Sequence, residues 1–207
     1  MKKILVIAYE FPPIGGSGVH RILRGILLSD FLGWFNHYLR HKVSWLWEFH
    51  KVHHSQEELN LFTDSRYHIV EYIISRTIRV FPLLMLSINT PTIVFYVVFL
   101  KWYPRFYHAN IKVSFGPLRY IFVTPQFHRI HHSTQHEHYD SNFATLFSFW
   151  DRLFGTFYED EKSFPKVGLG KSNFPNELDE KGIFGLVKTF FLQFIFPFKA
   201  IAIQLKK

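Results

Sequence analysis

One short motif, written twice, constrains this chain more than any other feature. WEFHKVHHSQ occupies positions 47–56 and PQFHRIHHST occupies positions 125–134, so His-x-x-His-His occurs in both. In an α-helix, positions i, i+3 and i+4 lie on one face. The motif therefore predicts two helical segments that each turn three imidazoles to one side: His50, His53 and His54 on the first, and His128, His131 and His132 on the second.

Three more histidines extend this pattern. His37 and His41 have the i, i+4 spacing of a helical face, and His108 follows an apolar segment within FYHANI. A single box is as typical of a solvated basic face as of a metal site, but the clusters together favour metal binding. Their number exceeds the three or four ligands of a zinc site, and two metals with about four nitrogens each fit it.

The residue types narrow the kind of metal site without choosing the metal. The sequence contains no cysteine, which excludes thiolate ligands and disulfides. Imidazole suits iron, zinc, copper and nickel alike. No His-Glu-x-x-His motif occurs, so a zinc protease is not supported.

Composition favours a membrane partner over a nucleic acid. Aromatic residues make up 19% of the chain and its net charge is +8, which suits an anionic membrane surface. The segment 80–100 is uncharged and about long enough to cross a hydrocarbon core. Pro82 and Pro91 predict that it is a kinked helix or a re-entrant hairpin. An interfacial anchor follows it at Lys101, Trp102, Tyr103 and Arg105.

Three further segments carry simpler expectations. Residues 66–79 predict an amphipathic helix. The tail IFGLVKTFFLQFIFPFKAIAIQLKK includes Lys188 and Lys199, and predicts a surface-lying amphipathic helix rather than a span. At the start of the chain, residues 4–9 predict a short buried strand, which a Pro-Pro and Gly-rich turn follows.

With these residues in place, the chain resembles the fatty acid hydroxylase (sterol desaturase) superfamily of membrane di-iron oxygenases. The matching stretches are DFLGWFNHYLRH, LWEFHKVHHS, FYHANI, FVTPQFHRIHHS and DSNFATLFSFWDRLFGTFY, in family order over about 28–160. A looser likeness extends to 199. The resemblance implies an all-α fold, an integral-membrane helical bundle with a histidine-rich cap on the cytosolic side.

The resemblance also implies a ligand set. Two iron ions would be held by the nine histidines named above, with His68 as a further candidate. Asp140 and Asn142 match the Asp-x-Asn that follows the last box in the family. A carboxylate at Asp140 would orient a ligand histidine through its second ring nitrogen, or else cap a helix.

The implied activity is that of an O₂-dependent oxidoreductase. It would hydroxylate or desaturate an aliphatic lipid or sterol-like substrate, with electrons from an external cytochrome b5-like or ferredoxin-like donor and with no nucleic acid partner. Relatives usually have one or two spans before the first histidine pair, whereas this chain reaches His37 almost at once. Residues 25–207 are therefore interpreted as an N-terminally truncated membrane domain, and a non-catalytic metal-binding protein is the alternative.

Residues 1–24 do not fit this family. MKKILVIAYEFPPIGGSGVHR resembles the opening strand and glycine loop of a family 4-like nucleotide-sugar glycosyltransferase, whose loop amides lie against an anionic donor. The remainder of such an enzyme does not follow. We interpret the segment as a remnant, and a glycosyltransferase fragment is the less favoured functional alternative.

Overall fold

The computed structural model describes residues 18–85, 90–160, 162–177 and 182–206. Seven α-helices lie in these ranges: α1 Gly18–Lys42, α2 Ser44–His54, α3 Ile69–Met85, α4 Thr90–Tyr107, α5 Pro125–His131, α6 Phe149–Leu153 and α7 Gly182–Gln204. The described residues contain two isolated β-bridges and no β-strand, which confirms the all-α class. The strand expected at 4–9, and with it most of the segment 1–24, falls outside the described residues.

Helix α1 organises the bundle, because it packs against α2 and α3 and also contacts α4 and α6. The extended backbone of Val43 separates α1 from α2, and α2 then packs against α7. Thr124 caps α5 by accepting a hydrogen bond from the amide of Phe127 at 3.1 Å, and Pro125 occupies the first turn. Both histidine boxes are therefore helical, as the spacing predicts.

A reciprocal pair of tryptophan–aspartate hydrogen bonds ties α1 to α6. The indole of Trp34 donates to Asp151 at 2.9 Å, and the indole of Trp150 donates to Asp30 at 2.9 Å. Both carboxylates also accept backbone amides from the loop 143–147, two at Asp151 and one at Asp30. This loop is thereby fixed between the two helices.

Helix α7 buries one narrow face, which includes Thr189 and Gln193, and exposes most of its large apolar residues. Its buried residues are Gly185, Thr189, Gln193 and Pro197, four apart along one face, whereas Phe184 is 87% exposed. Lys188 and Lys199 are exposed together with the apolar residues. Apolar residues of a helix that lies on a membrane face lipid, so the surface-lying position stays a prediction. Among the described residues, α7 is the one helix long and apolar enough to cross a membrane.

Helix α3 also exposes apolar residues and buries a charged one. Glu71 is 4% exposed, while Ile69 and Ile73 are more than half exposed. Of the polar residues in 66–79 that alternate with apolar ones, Glu71 faces the protein, whereas Arg76 is exposed. The predicted span 80–100 is divided between the end of α3 and the start of α4; residues 86–89, between them, fall outside the described ranges.

Candidate metal centre

The nine predicted histidines come together at the C-terminal ends of α1, α2 and α4 and in α5. They form two groups, and within each group one ring nitrogen per residue lies within 4.8 Å of those of all the other members. The five-histidine group is His37, His41, His50, His54 and His131; the four-histidine group is His53, His108, His128 and His132.

Each histidine box is divided between the two groups. In the first box, His50 and His54 belong to the five-histidine group and His53 belongs to the four-histidine group. In the second box, His131 belongs to the five-histidine group, whereas His128 and His132 belong to the four-histidine group. The groups adjoin, since the ring of His54 stacks on that of His132 with centroids 4.2 Å apart. One wide helical face on each of two helices can therefore serve a pair of neighbouring ions.

Backbone carbonyls from the loop after α5 orient two members of the five-histidine group. His37 Nδ1 lies 2.8 Å from the carbonyl of Phe143, and His131 Nδ1 lies 2.8 Å from that of Ser141. A carbonyl oxygen only accepts, so Nδ1 carries the proton in both rings and donates it. Nε2 then keeps a lone pair for a metal ion.

Carboxylates hold two more members of this group. His50 Nδ1 lies 2.9 Å from Glu71 Oε1, and the same carboxylate pairs with Arg40. His41 Nδ1 lies 3.6 Å from Asp140 Oδ1. A histidine that donates to a carboxylate is a more basic metal ligand than one that donates to water.

Asp140 sits in a turn with a positive φ of 58°, which excludes the helix-capping alternative. Its side chain is half-buried and also pairs with Lys42 at 2.7 Å. The contact with His41, helped by Lys42, holds the pKa of Asp140 at about 2. It is therefore a carboxylate at any pH at which the imidazole beside it is neutral.

The four-histidine group is oriented by carbonyls alone. His53 Nδ1 donates to the carbonyl of Arg66 at 3.2 Å, and His108 Nδ1 donates to that of Pro104 at 2.7 Å. Among the described residues no carboxylate contacts any member of this group.

The ring nitrogens inside both groups fit a bound cation. Nε2 of His54 faces Nε2 of His131 at 3.1 Å, and Nε2 of His108 faces that of His128 at 2.8 Å. Burial lowers the pKa of all four imidazoles, that of His108 to about 4, so the rings are neutral at pH 7. His53 and His108 both carry their proton on Nδ1, so the Nε2 lone pairs of these two rings face each other at 3.3 Å. Facing lone pairs repel, and a metal ion between them removes that cost.

Unpartnered ring atoms support the same conclusion. The buried Nε2 atoms of His37, His41 and His50 have no hydrogen-bond partner among the described residues. Buried polar atoms are nearly always satisfied, and each of these belongs to the five-histidine group. The donor set is entirely neutral imidazole nitrogen, which suits iron among other metals of this class.

Two of the predicted site residues lie apart from both groups. His68 Nε2 donates to the carbonyl of Phe194 in α7 at 3.0 Å, so it ties α7 to the bundle. The Asn142 side chain donates to the carbonyls of Phe127 and Tyr158 and accepts from the Tyr158 amide. Asn142 therefore fixes the loop that carries the orienting carbonyls.

Sequence reasoning missed Glu71, Asp30 and Asp151 as supporting residues. The available signal for Glu71 was a single carboxylate inside the apolar run HIVEYII; that for Asp151 was its place in WDRLFG beside a tryptophan. The sequence gives no signal for the carbonyls that orient the imidazoles, because every residue has a backbone carbonyl.

A cavity of about 430 Å³ reaches both groups. Its volume lies within the range of small-molecule sites. Five imidazoles line it: His37, His50, His53, His108 and His128. A bound molecule in this cavity would therefore approach both sets of ligands.

Comparison with known proteins agrees with this arrangement. The family model described as "Fatty acid hydroxylase" matches residues 22–156, a range that contains all nine imidazoles. The chain belongs to the fatty acid hydroxylase family. No solved structure matches it.

Three curated relatives carry the names of two hydroxylases and one monooxygenase. The chain is 29% identical over 138 residues to ornithine lipid hydroxylase OlsE of Rhizobium tropici, covering 67% of this chain and 42% of that protein. It is 36% identical over 141 residues to alkylglycerol monooxygenase of Homo sapiens (65% and 31%) and 30% identical over 143 residues to human cholesterol 25-hydroxylase (67% and 51%). The chain thus spans between about a third and a half of these relatives.

Proposed function

We propose that this family member is a membrane-bound oxygenase that holds two iron ions and hydroxylates or desaturates an aliphatic position of a lipid or sterol-like substrate with O₂. One observation carries the proposal: nine buried imidazoles, drawn from four helical segments, converge in two adjoining groups beside one cavity. The names of the three relatives support a lipid or sterol substrate.

The protein's own residues would position the iron ions and keep water out of the site. The nine imidazoles hold the ions, and Glu71, Asp140 and the loop carbonyls fix the ring orientations. Bound iron would activate O₂ for attack on an unreactive C–H bond. Tyr107 and Phe143 are buried against the rings of His128 and His37, where they would keep water away from these ligands.

The membrane setting belongs to the same proposal. The outward apolar surfaces of α3 and α7 would face lipid, and the metal groups would lie in a cap on the cytosolic side. The sequence has no flavin or haem motif, so electrons would come from an external cytochrome b5-like or ferredoxin-like protein.

The test is iron content followed by turnover. The full chain, purified in a neutral detergent, is expected to contain about two irons per chain by plasma mass spectrometry. With reductant and ¹⁸O₂, supplied lipid should yield a hydroxylated or unsaturated product, with ¹⁸O in any alcohol. A chain without iron would contradict the proposal. Two irons without O₂-dependent product would instead favour the non-catalytic metal-binding alternative.

A further inference from the structure

The cavity beside the imidazoles carries an excess of positive charge. Its lining includes five basic side chains and two acidic ones. Four of the basic residues form a set on two neighbouring helices, with Arg76 and Arg79 on α3 and Lys101 and Arg105 on α4. We call these the cationic set. The proposed oxygenase chemistry has no use for them.

The two acidic residues of the cavity neutralise only part of its positive charge. Glu71 is paired with Arg40. Burial raises the pKa of Asp64 to about 6, against the effect of Arg105 and Arg79, so Asp64 is a carboxylate at pH 7 and offsets one positive charge. Within the described ranges, Arg76, Arg79 and Lys101 form no ion pair.

Arg79 is one of the two partly buried members of the set, with Arg105, and it lies against α1. A Cβ built on Gly33 of α1 would come within 3.5 Å of the Arg79 guanidinium and 2.7 Å of Thr145 Oγ1. Gly33 therefore leaves room for Thr145 Oγ1, and the Arg79 guanidinium lies beside this position at van der Waals distance. An arginine that only anchors a membrane surface extends outward to the headgroups, whereas Arg79 lies against α1.

Asp30 is a buried carboxylate on α1; burial raises its pKa, and the charge of Arg79 acts against that rise. Its oxygens already accept hydrogen bonds from Thr145, Phe147 and Trp150. A partly buried guanidinium without an ion-pair partner costs free energy, and an anionic ligand would offset that cost.

From this geometry we infer that the cavity selects an amphiphile with an anionic headgroup, a phosphate or a carboxylate, which the cationic set binds while the chain faces the imidazoles. Arginine suits this role because its planar fork donates two parallel hydrogen bonds to such a group. The inference rests on the proposed function and names the substrate class of the same site.

The experiment compares three lipids that share one alkyl chain length. Hexadecyl phosphate, palmitate and hexadecanol are offered to the iron-loaded full chain in micelles of a neutral detergent, and binding and hydroxylated product are measured for each. Hexadecyl phosphate or palmitate should bind at least about tenfold more tightly than hexadecanol, because hydrogen bonds to charged groups are the stronger ones. The first two lipids distinguish a phosphate from a carboxylate headgroup.

Two variants test the cationic set directly. Arg79→Gln and, at the exposed mouth of the cavity, Lys101→Gln should each reduce the preference for the anionic lipid severalfold without changing iron content or hexadecanol binding. Arg24→Gln is the matched control, because Arg24 is exposed on α1 and does not line the cavity. Iron content and thermal unfolding show whether Arg79→Gln folds, and Lys101→Gln carries the test if it does not.

Each outcome decides between the two proposals. Equal binding of anionic and neutral lipids would overturn the inference, as would an Arg24→Gln effect as large as that of Arg79→Gln, which would indicate general attraction to a basic surface. If a chain that holds no iron still binds the anionic lipids more tightly than hexadecanol, the oxygenase proposal is contradicted and the anion site is retained. Equal turnover of all three lipids would overturn the anion site alone.

Discussion

The two histidine groups are built from the same helices but are supported differently. The five-histidine group has carboxylates behind two of its rings, at Glu71 and Asp140, and loop carbonyls behind two more. The four-histidine group has one ring fewer and only the carbonyls of Arg66 and Pro104. In that group the buried Nδ1 atoms of two rings have no partner among the described residues.

This difference teaches that identical motifs need not make equivalent sites. Both groups take rings from α2 and α5, and what distinguishes them is the third contributor and the atoms behind the rings. Carboxylates raise the basicity of their imidazoles. We therefore expect the five-histidine group to hold its ion more tightly, and the predictions below probe that asymmetry.

Removing the metal should have the largest effect. Anaerobic treatment with a ferrous chelator would leave neutral lone pairs facing one another, so we expect the midpoint of thermal unfolding to fall by more than about 10 °C, since structural metal sites contribute on the order of 10 kcal/mol. Iron release followed by absorbance should show two phases, of which the four-histidine group gives the faster. Release of both ions in one phase would contradict the expected difference in iron affinity between the two groups.

Deleting one ring from each group should come next. His53→Ala leaves three imidazoles in its group and should lower iron to about one per chain, whereas His131→Ala leaves four and should lower it less. Plasma mass spectrometry on detergent-purified protein measures both. His136→Ala is the control, because His136 is exposed and belongs to neither group. Equal losses from all three variants would count against the ligand assignment.

Asp151→Asn should destabilise the protein through the loop beside the five-histidine group. Asp151 accepts hydrogen bonds from Trp34, Phe143, Ala144 and Thr156, and an amide would turn an NH₂ toward some of these donors. We expect a loss of about 2–4 kcal/mol in unfolding free energy, measured by thermal unfolding against the exposed-site control Glu58→Gln.

The same variant should act on one group only. The loop that Asp151 fixes carries the carbonyls that orient His37 and His131, both in the five-histidine group. Iron in the slower-releasing site should therefore become labile, while the faster phase is unchanged. An Asp151→Asn protein whose two release phases are both normal would show that the loop does not orient these rings.

Glu71→Gln should have a smaller, local effect. Glutamine keeps an oxygen for His50 but loses the charge that raises the basicity of the ring, so the affinity of the five-histidine group for iron should fall about 10–100-fold. Competition with a chelator of known strength measures this. Asp140→Asn is the matched comparison and should weaken binding less, since Asp140 is half exposed and screened by water.

His68→Gln should have the smallest effect. His68 bonds to the carbonyl of Phe194 and lies in neither group, so iron content should match that of the unmodified chain and stability should fall by about 1 kcal/mol. Loss of an iron ion in this variant would contradict this expectation and indicate that His68 is a metal ligand.

The sequence predicted which imidazoles come together more accurately than it predicted which side of each helix is buried. The i, i+3, i+4 spacing fixes that His50, His53 and His54 share a helical face, because that geometry is local. The same local reasoning could not orient α3 or α7. Which side of an amphipathic helix is buried depends on the surrounding solvent, and here Glu71 and Gln193 face inward while Ile73 and Phe184 face out.

By itself, then, the sequence determined the helical boxes and the imidazoles that approach one another, and its resemblance to the family implied the all-α class. Only the tertiary structure decided how the rings divide, that Asp30 and Asp151 lock α1 to α6, and that His68 stands apart. Hydrogen bonds between residues more than a hundred positions apart leave no periodic trace in a chain. Backbone carbonyls, which every residue has, cannot be told apart until the fold brings one of them to a ring nitrogen.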